Sequence, residues 1–149
     1  MTGLIFDVFG TPGAQGSKRF VGNGVMVESS KKVKPWRSDV KAAAEAALLA
    51  SDDWTAPCRR PVHLVVTFRF TRPRNHYRTG RFTNVLRDGA PLYVTSRGCG
   101  DLDKIVRSTG DALTASGAIL DDSLIVTMRA SKIYGPRAGA TIALAEVET

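Results

Sequence analysis

The chain has 149 residues, 43% of them hydrophobic, with 21 Lys and Arg against 14 Asp and Glu and a formal net charge of +7. That length supports one core and excludes two ordinary domains, and no apolar run is long enough to span a bilayer. The cationic surplus favours a polyanionic partner, nucleic acid first, although a solubilising surface explains the total equally well and only its distribution discriminates.

Leu4 to Phe9 is short, apolar and aromatic. It predicts a strand running into "GTPGAQGSK", where Gly10, Pro12, Gly13 and Gly16 mark a loop. The opening "MTGLIFDVFG" has neither the basic start nor the long apolar core of a signal peptide, and Cys58 and Cys99 lack zinc-finger spacing. A reduced, cytoplasmic setting is expected. "RFVGNGVMVES" predicts a hairpin with Asn23-Gly24 at its tip. Pro35 suits the first turn of a helix whose alanine-rich body turns Val40, Ala43, Ala44, Ala47 and Leu48 inward. In "VHLVVTFRF" the residues Val62, Leu64, Val66, Phe68 and Phe70 alternate with His63, Val65, Thr67 and Arg69, which predicts a strand with one packed face. His63 belongs to that pattern and is read as structural.

From Thr71 to Gly100 the periodicity fails over thirty residues, a length that marks a functional or disordered loop. Arg72, Arg74, Arg78, Arg81, Arg87 and Arg97 stand there against Asp88 alone, so +5 of the net +7 lies in this segment. His76, Tyr77, Phe82 and Tyr93 are interleaved with them. Guanidiniums that grip phosphate, alternating with rings that stack on bases, suit a nucleic-acid contact. Arg72, Arg74, Arg78 and Arg81, with Lys18 and Arg19 upstream, are the expected DNA-binding residues; a merely solvated loop has the same composition.

After Asp101 a helical period returns, with Leu102, Ile105, Val106, Ala112 and Leu113 on one side and Asp103, Arg107 and Asp111 on the other. Gly117 ends the helix. "SLIVTMRASKIYG" and "AGATIALAEVE" then read as a strand pair joined at Gly135 to Gly139. The expected fold is a single compact α+β domain over residues 1–149, a mixed sheet with two main helices.

The stretch from Gly98 to Asp122 sets five aspartates beside the most basic part of the chain. Asp101 at an N-cap and Asp103 in the first turn can face a common ion, and a helix-and-return unit can bring Asp121 and Asp122, at the start of the next strand, back near the sheet. Hard cations such as Mg²⁺ bind through one or two carboxylates, waters and phosphate oxygens, so acids among arginines make sense as a metal site meeting a phosphodiester. A plain N-cap at Asp101, a dipole and Arg107-pairing role for Asp103, and a turn at Asp121-Asp122 account for the same residues without a metal.

In "DLDK", "DALTASG", "LDD" and "SKIYG" the chain resembles the RusA-type Holliday-junction resolvases of bacteria, in particular their phage and prophage branch. "PGAQGSKRF", "KPW" and "RPRNHYRTG" extend the likeness upstream. The resemblance implies a RusA-like fold and a homodimeric endonuclease that uses Mg²⁺, or Mn²⁺ in its place, to cut paired strands of four-way DNA junctions in recombination, repair or phage DNA processing. It implies Asp101, Asp103 and Asp122 as metal ligands, with Asp111 supporting, by holding Arg107, and Asp121 as a further support or cap. Arg107 stands where some members carry a functional lysine; it keeps the charge but does not readily release a proton, which leaves phosphate binding or charge stabilisation to it and any lysine role to Lys104 or Lys132. Cys99-Gly100 replaces a common Lys-Pro and implies a more flexible approach to Asp101. Two other readings are a non-catalytic branched-DNA-binding protein on this scaffold and a broader flap or fork nuclease.

Overall fold

The computed structural model describes residues 2–16, 18–20, 22, 26–28 and 31–148, with backbone alone for 18–20 and 26–28. In chain order the elements are β1 (Gly3–Phe9), β2 (Lys18–Phe20), β3 (Met26–Glu28), α1 (Val33–Ala50), β4 (Val62–Thr71), α2 (Leu102–Ser116), β5 (Ile125–Gly135) and β6 (Gly139–Glu146). A four-stranded sheet runs β1-β6-β4-β5, with β5 parallel to β4 and the other pairs antiparallel. The α+β class and single compact domain expected from the sequence are observed.

The strict alternation in β4 does what the pattern predicts: Val62, Leu64, Val66, Phe68 and Phe70 are buried, while the intervening side chains are half-exposed. His63 pairs with the Thr127 hydroxyl on the neighbouring strand, a sheet-surface contact consistent with its structural reading. Both helices cover the buried face, α1 packing on β1 and α2, and α2 reaching β5. Within α1, Val33, Trp36, Val40 and Ala44 are buried, whereas Ala43, Ala47 and Leu48 only flank the core. The core-facing stripe thus begins a turn earlier than the alanine run suggests. Trp36 sits edge-on to Phe68 at 6.2 Å and donates its indole N–H to Thr109 Oγ1 at 3.1 Å, so the buried ring keeps its polar end satisfied.

The expected hairpin is present as the β2-β3 ribbon, while Asn23 and Gly24 lie outside the described residues. Two expectations are corrected. β5 and β6 do not pair with each other; β4 lies between them, pairing parallel with β5 and antiparallel with β6. Asp121 and Asp122 do not begin a strand: a 3-10 turn, Asp122–Leu124, precedes β5.

Candidate active site

α2 places the acidic residues, and its start is built by backbone. Asp101 occupies the N-cap in an extended conformation, and its carbonyl accepts from Lys104 and Ile105 N–H. Its carboxylate caps nothing: the side chain is 70% exposed and lies 3.6 Å from Lys104 Nζ. The N-cap explanation of Asp101 therefore accounts for its backbone and leaves its carboxylate unused. Asp103 projects from the first turn, exposed, with no hydrogen-bond or ion-pair partner among the described residues, Arg107 included. It edges a hollow of about 370 Å³ between α2 and β5, lined also by Leu102, Val106, Met128 and Ala130.

The approach to Asp101 is held from three sides and is not loose. Gly100 adopts φ +91°, and a Cβ there would fall 2.6 Å from the Ala14 Cβ, so only glycine permits this contact. Its N–H donates to the Arg97 carbonyl at 3.0 Å, and its carbonyl accepts from Lys132 Nζ at 2.7 Å. Lys32 Nζ reaches the Gly98 carbonyl at 3.2 Å. The Cys99-Gly100 approach to Asp101 is thus braced by these contacts.

The return after α2 brings the second acidic pair to the middle of the helix and not to its start. Asp122 lies against Gly110, its Cβ 3.5 Å from where a glycine Cβ would point. Gly110 is seven residues beyond Asp103, two turns along the same face, or about 10 Å. Asp121 is a cap: its carboxylate accepts from Ser123 N–H at 3.0 Å, and hydrogen bonds from the Ser123 side chain and backbone hold its pKa below the ordinary value of 3.8.

Residues 13–16 form a strap along α2. Ser108 Oγ donates to the Gly13 carbonyl at 2.6 Å, and Gln15 N–H to the Lys104 carbonyl at 3.0 Å. Gln15 Nε2 donates to Asp111 Oδ2 at 2.7 Å, with Arg37 Nη2 3.9 Å from the same oxygen. Asp111 consequently holds Gln15 and Arg37, not Arg107. The Arg107 guanidinium instead lies beside Gly16, with Nη1 2.8 Å from a Cβ placed there. Lys18 and Arg19 follow the strap in β2; their side chains lie outside the description. Gln15, Arg37 and Lys32 carried no periodicity or motif that would single them out in the sequence.

The basic loop is ordered by its own bonds. Three 3-10 turns, Arg74–His76, Gly80–Phe82 and Arg97–Cys99, punctuate it. Residues 92–94 then pair along the outer edge of β5, Val94 N–H donating to the Lys132 carbonyl and Tyr134 N–H to the Leu92 carbonyl. Arg72, expected on DNA, donates to the Pro91 carbonyl at 2.8 Å and lies over the Tyr134 ring at 5.3 Å, so it is spent on bracing the loop. Arg78 approaches Asp88 at 3.4 Å, and Arg81 lies 5.5 Å from the Phe82 ring. Arg74 has no carboxylate partner among the described residues.

Among the described residues, no three of His, Cys, Asp and Glu form a group able to hold a metal ion by themselves. The unspent carboxylates of Asp101, Asp103 and Asp122 are hard oxygen donors, however. Their chemistry fits a cation that retains much of its water and takes further oxygens from phosphate, and does not fit a closed protein cage.

Cations that draw in a phosphate backbone and exposed acids that cap nothing among the described residues belong together in the nucleases, where the acids serve the cleavage chemistry. The family model for the endodeoxyribonuclease RusA matches residues 10–145, nearly the whole chain, and the protein belongs to that family. It is thus an enzyme that cuts DNA internally. Comparison with individual curated proteins finds no match. No helix among the described residues is long and apolar enough to cross a membrane.

Proposed function

We propose that the protein resolves four-way DNA junctions by paired, metal-dependent phosphodiester hydrolysis. The observation that carries this reading is the presence of three exposed carboxylates, Asp101, Asp103 and Asp122, unused for capping and near a loop holding +5 of the net charge. In pure binding those acids only repel the backbone that the arginines attract.

Asp101 and Asp103 and, from two turns further along α2, Asp122 would supply oxygens to bound Mg²⁺ or Mn²⁺, which would acidify a water and neutralise charge on the scissile phosphate. The residues of the chain supply the rest. Lys132 fixes the Gly100 carbonyl and with it the direction from which Asp101 enters α2. Arg107, beside Gly16 and exposed, grips a phosphate oxygen as a permanent cation; proton transfer is not assigned to it. Lys104 balances Asp101. Arg74, Arg78 and Arg81, with Lys18 and Arg19, hold the DNA arms. A homodimer matches the two-fold symmetry of the junction and supplies two sites for paired cuts. The working compartment is the bacterial or phage-infected host cytoplasm, where such DNA is found.

Labelled four-way junction, flap and linear duplex, each with Mg²⁺ or EDTA, test the proposal. Symmetric paired nicks in the junction alone, abolished by EDTA, are expected. Equal cutting of flaps would move the assignment to a broader branched-DNA nuclease, and metal-independent binding with no cutting would make this a scaffold that only binds.

A further inference from the structure

We propose that the arginine loop contains a built subsite for one unpaired nucleotide of a DNA strand, separate from the acidic residues of α2. The inference rests on the reading of the chain as a branched-DNA nuclease and names what that loop selects. The loop bounds an open hollow of about 820 Å³. Its frame is backbone: Arg78 N–H donates to the Val85 carbonyl and Arg87 N–H to the His76 carbonyl, both at 2.8 Å. Arg87 Nε adds a bond to the Tyr77 carbonyl at 2.8 Å. These bonds hold the loop in shape, which lowers the ordering cost of binding.

Its lining divides by chemistry. Arg72 and Arg87 are committed to carbonyls and act as walls. Arg74 is exposed with no carboxylate partner among the described residues, and Arg78 has only Asp88, whose side chain is fully exposed and readily exchanged for phosphate. Tyr77, half-buried, and Asn75, exposed, also line the hollow, and their residue types offer a ring and an amide with both donor and acceptor. Cations for one phosphate, a flat face for one base and an amide for its edge are the needs of a nucleotide. A base inside a duplex is stacked and paired and cannot enter such a concavity, whereas bases next to a strand exchange point can.

Placement relative to the acids follows from β5. Tyr134 carries the loop, stacking edge-on with His76 at 4.8 Å and lying under Arg72, while Lys132 holds the Gly100 carbonyl ahead of Asp101. The two are i and i+2 on one strand and share its face, about 7 Å apart. One rigid element thus registers the subsite against the acidic end of α2.

The test is binding in EDTA, where no cutting is required, of fluorescein-labelled oligothymidylate of eight residues and of a linear duplex of the same length. Tyr77→Ala is expected to weaken the single strand roughly 5- to 100-fold, the worth of one stacked base, and to leave the duplex unchanged. Tyr77→Phe should keep wild-type binding. A second readout needs no variant: 2-aminopurine placed centrally in the oligonucleotide should be quenched on binding to the wild type. Unquenched 2-aminopurine, or equal losses on single strand and duplex in Tyr77→Ala, would overturn the subsite and leave a phosphate-binding surface. Because neither readout uses cleavage, a protein that fails to cut junctions can still pass this test, and one that cuts them can fail it.

Discussion

The arginine loop and the acidic end of α2 hang on neighbouring positions of β5, and they use their charges in opposite ways. In the loop, Arg72 and Arg87 are consumed by carbonyls of the same loop and Arg78 leans on Asp88. At α2, Asp103 and Asp122 bond to no other side chain among the described residues, and Asp101 has only a lysine 3.6 Å away. Charge that is spent internally builds shape; charge left in water is held for something outside the chain. A count of charges along the sequence cannot separate these two uses.

The largest effect should come from the unspent acids. Asp103→Asn is expected to lower junction cleavage by at least roughly 10²–10³-fold, as removal of a charge-stabilising group does, while junction binding measured by gel shift stays the same or tightens. Cleavage near the wild-type rate would remove Asp103 from the site. Next in size is the support behind Asp101. Lys132→Met should cut the cleavage rate about tenfold with little change in binding, and Lys132→Arg should restore part of it, since the deleted bond is one charged hydrogen bond worth about 1.5–3 kcal/mol.

Within the loop the contrast becomes a stability test. Arg72→Ala should destabilise the fold by about 1–3 kcal/mol in urea unfolding, because it leaves the Pro91 carbonyl and the Tyr134 ring without their brace. Arg74→Ala should stay within about 0.5 kcal/mol of wild type yet lower the salt dependence of junction binding by about one unit of slope. Equal behaviour of the two variants would erase the distinction between spent and free arginines.

The smallest effect belongs to Asp121. Its pKa is depressed in the folded state, so its contribution to stability is present above 3.8 and fades as the pH falls through the lower folded value. Asp121→Asn should lower the melting temperature slightly at neutral pH and converge on the wild type as the pH falls through that acidic window.

Much of this was legible in the sequence. The alternation from Val62 to Phe70 marked β4 because one buried face needs a period of two, Gly117 marked the end of α2 through cap chemistry, and Asp101 marked its start although its carboxylate makes no cap bond. The order of strands was not legible: adjacency in sequence suggested that β5 and β6 pair, and only the parallel partnership of β4 with β5 separates them. The candidate site was half legible. The acidic residues proposed for it stand out by type, but the arrest of Asp122 at Gly110 and the engagement of Asp111 by Gln15 and Arg37 are long-range contacts that no local pattern records. For Arg72, its identity as a cation gave no sign of the Pro91 carbonyl to which it donates.

The most direct measurement is cleavage of a labelled four-way junction in Mg²⁺ by the wild type and by Asp103→Asn at matched, saturating binding. Paired symmetric nicks from the wild type and an intact, bound junction with Asp103→Asn are the predicted result. Intact junction in both lanes, or nicks in both, would contradict the assignment of the exposed carboxylates to cleavage.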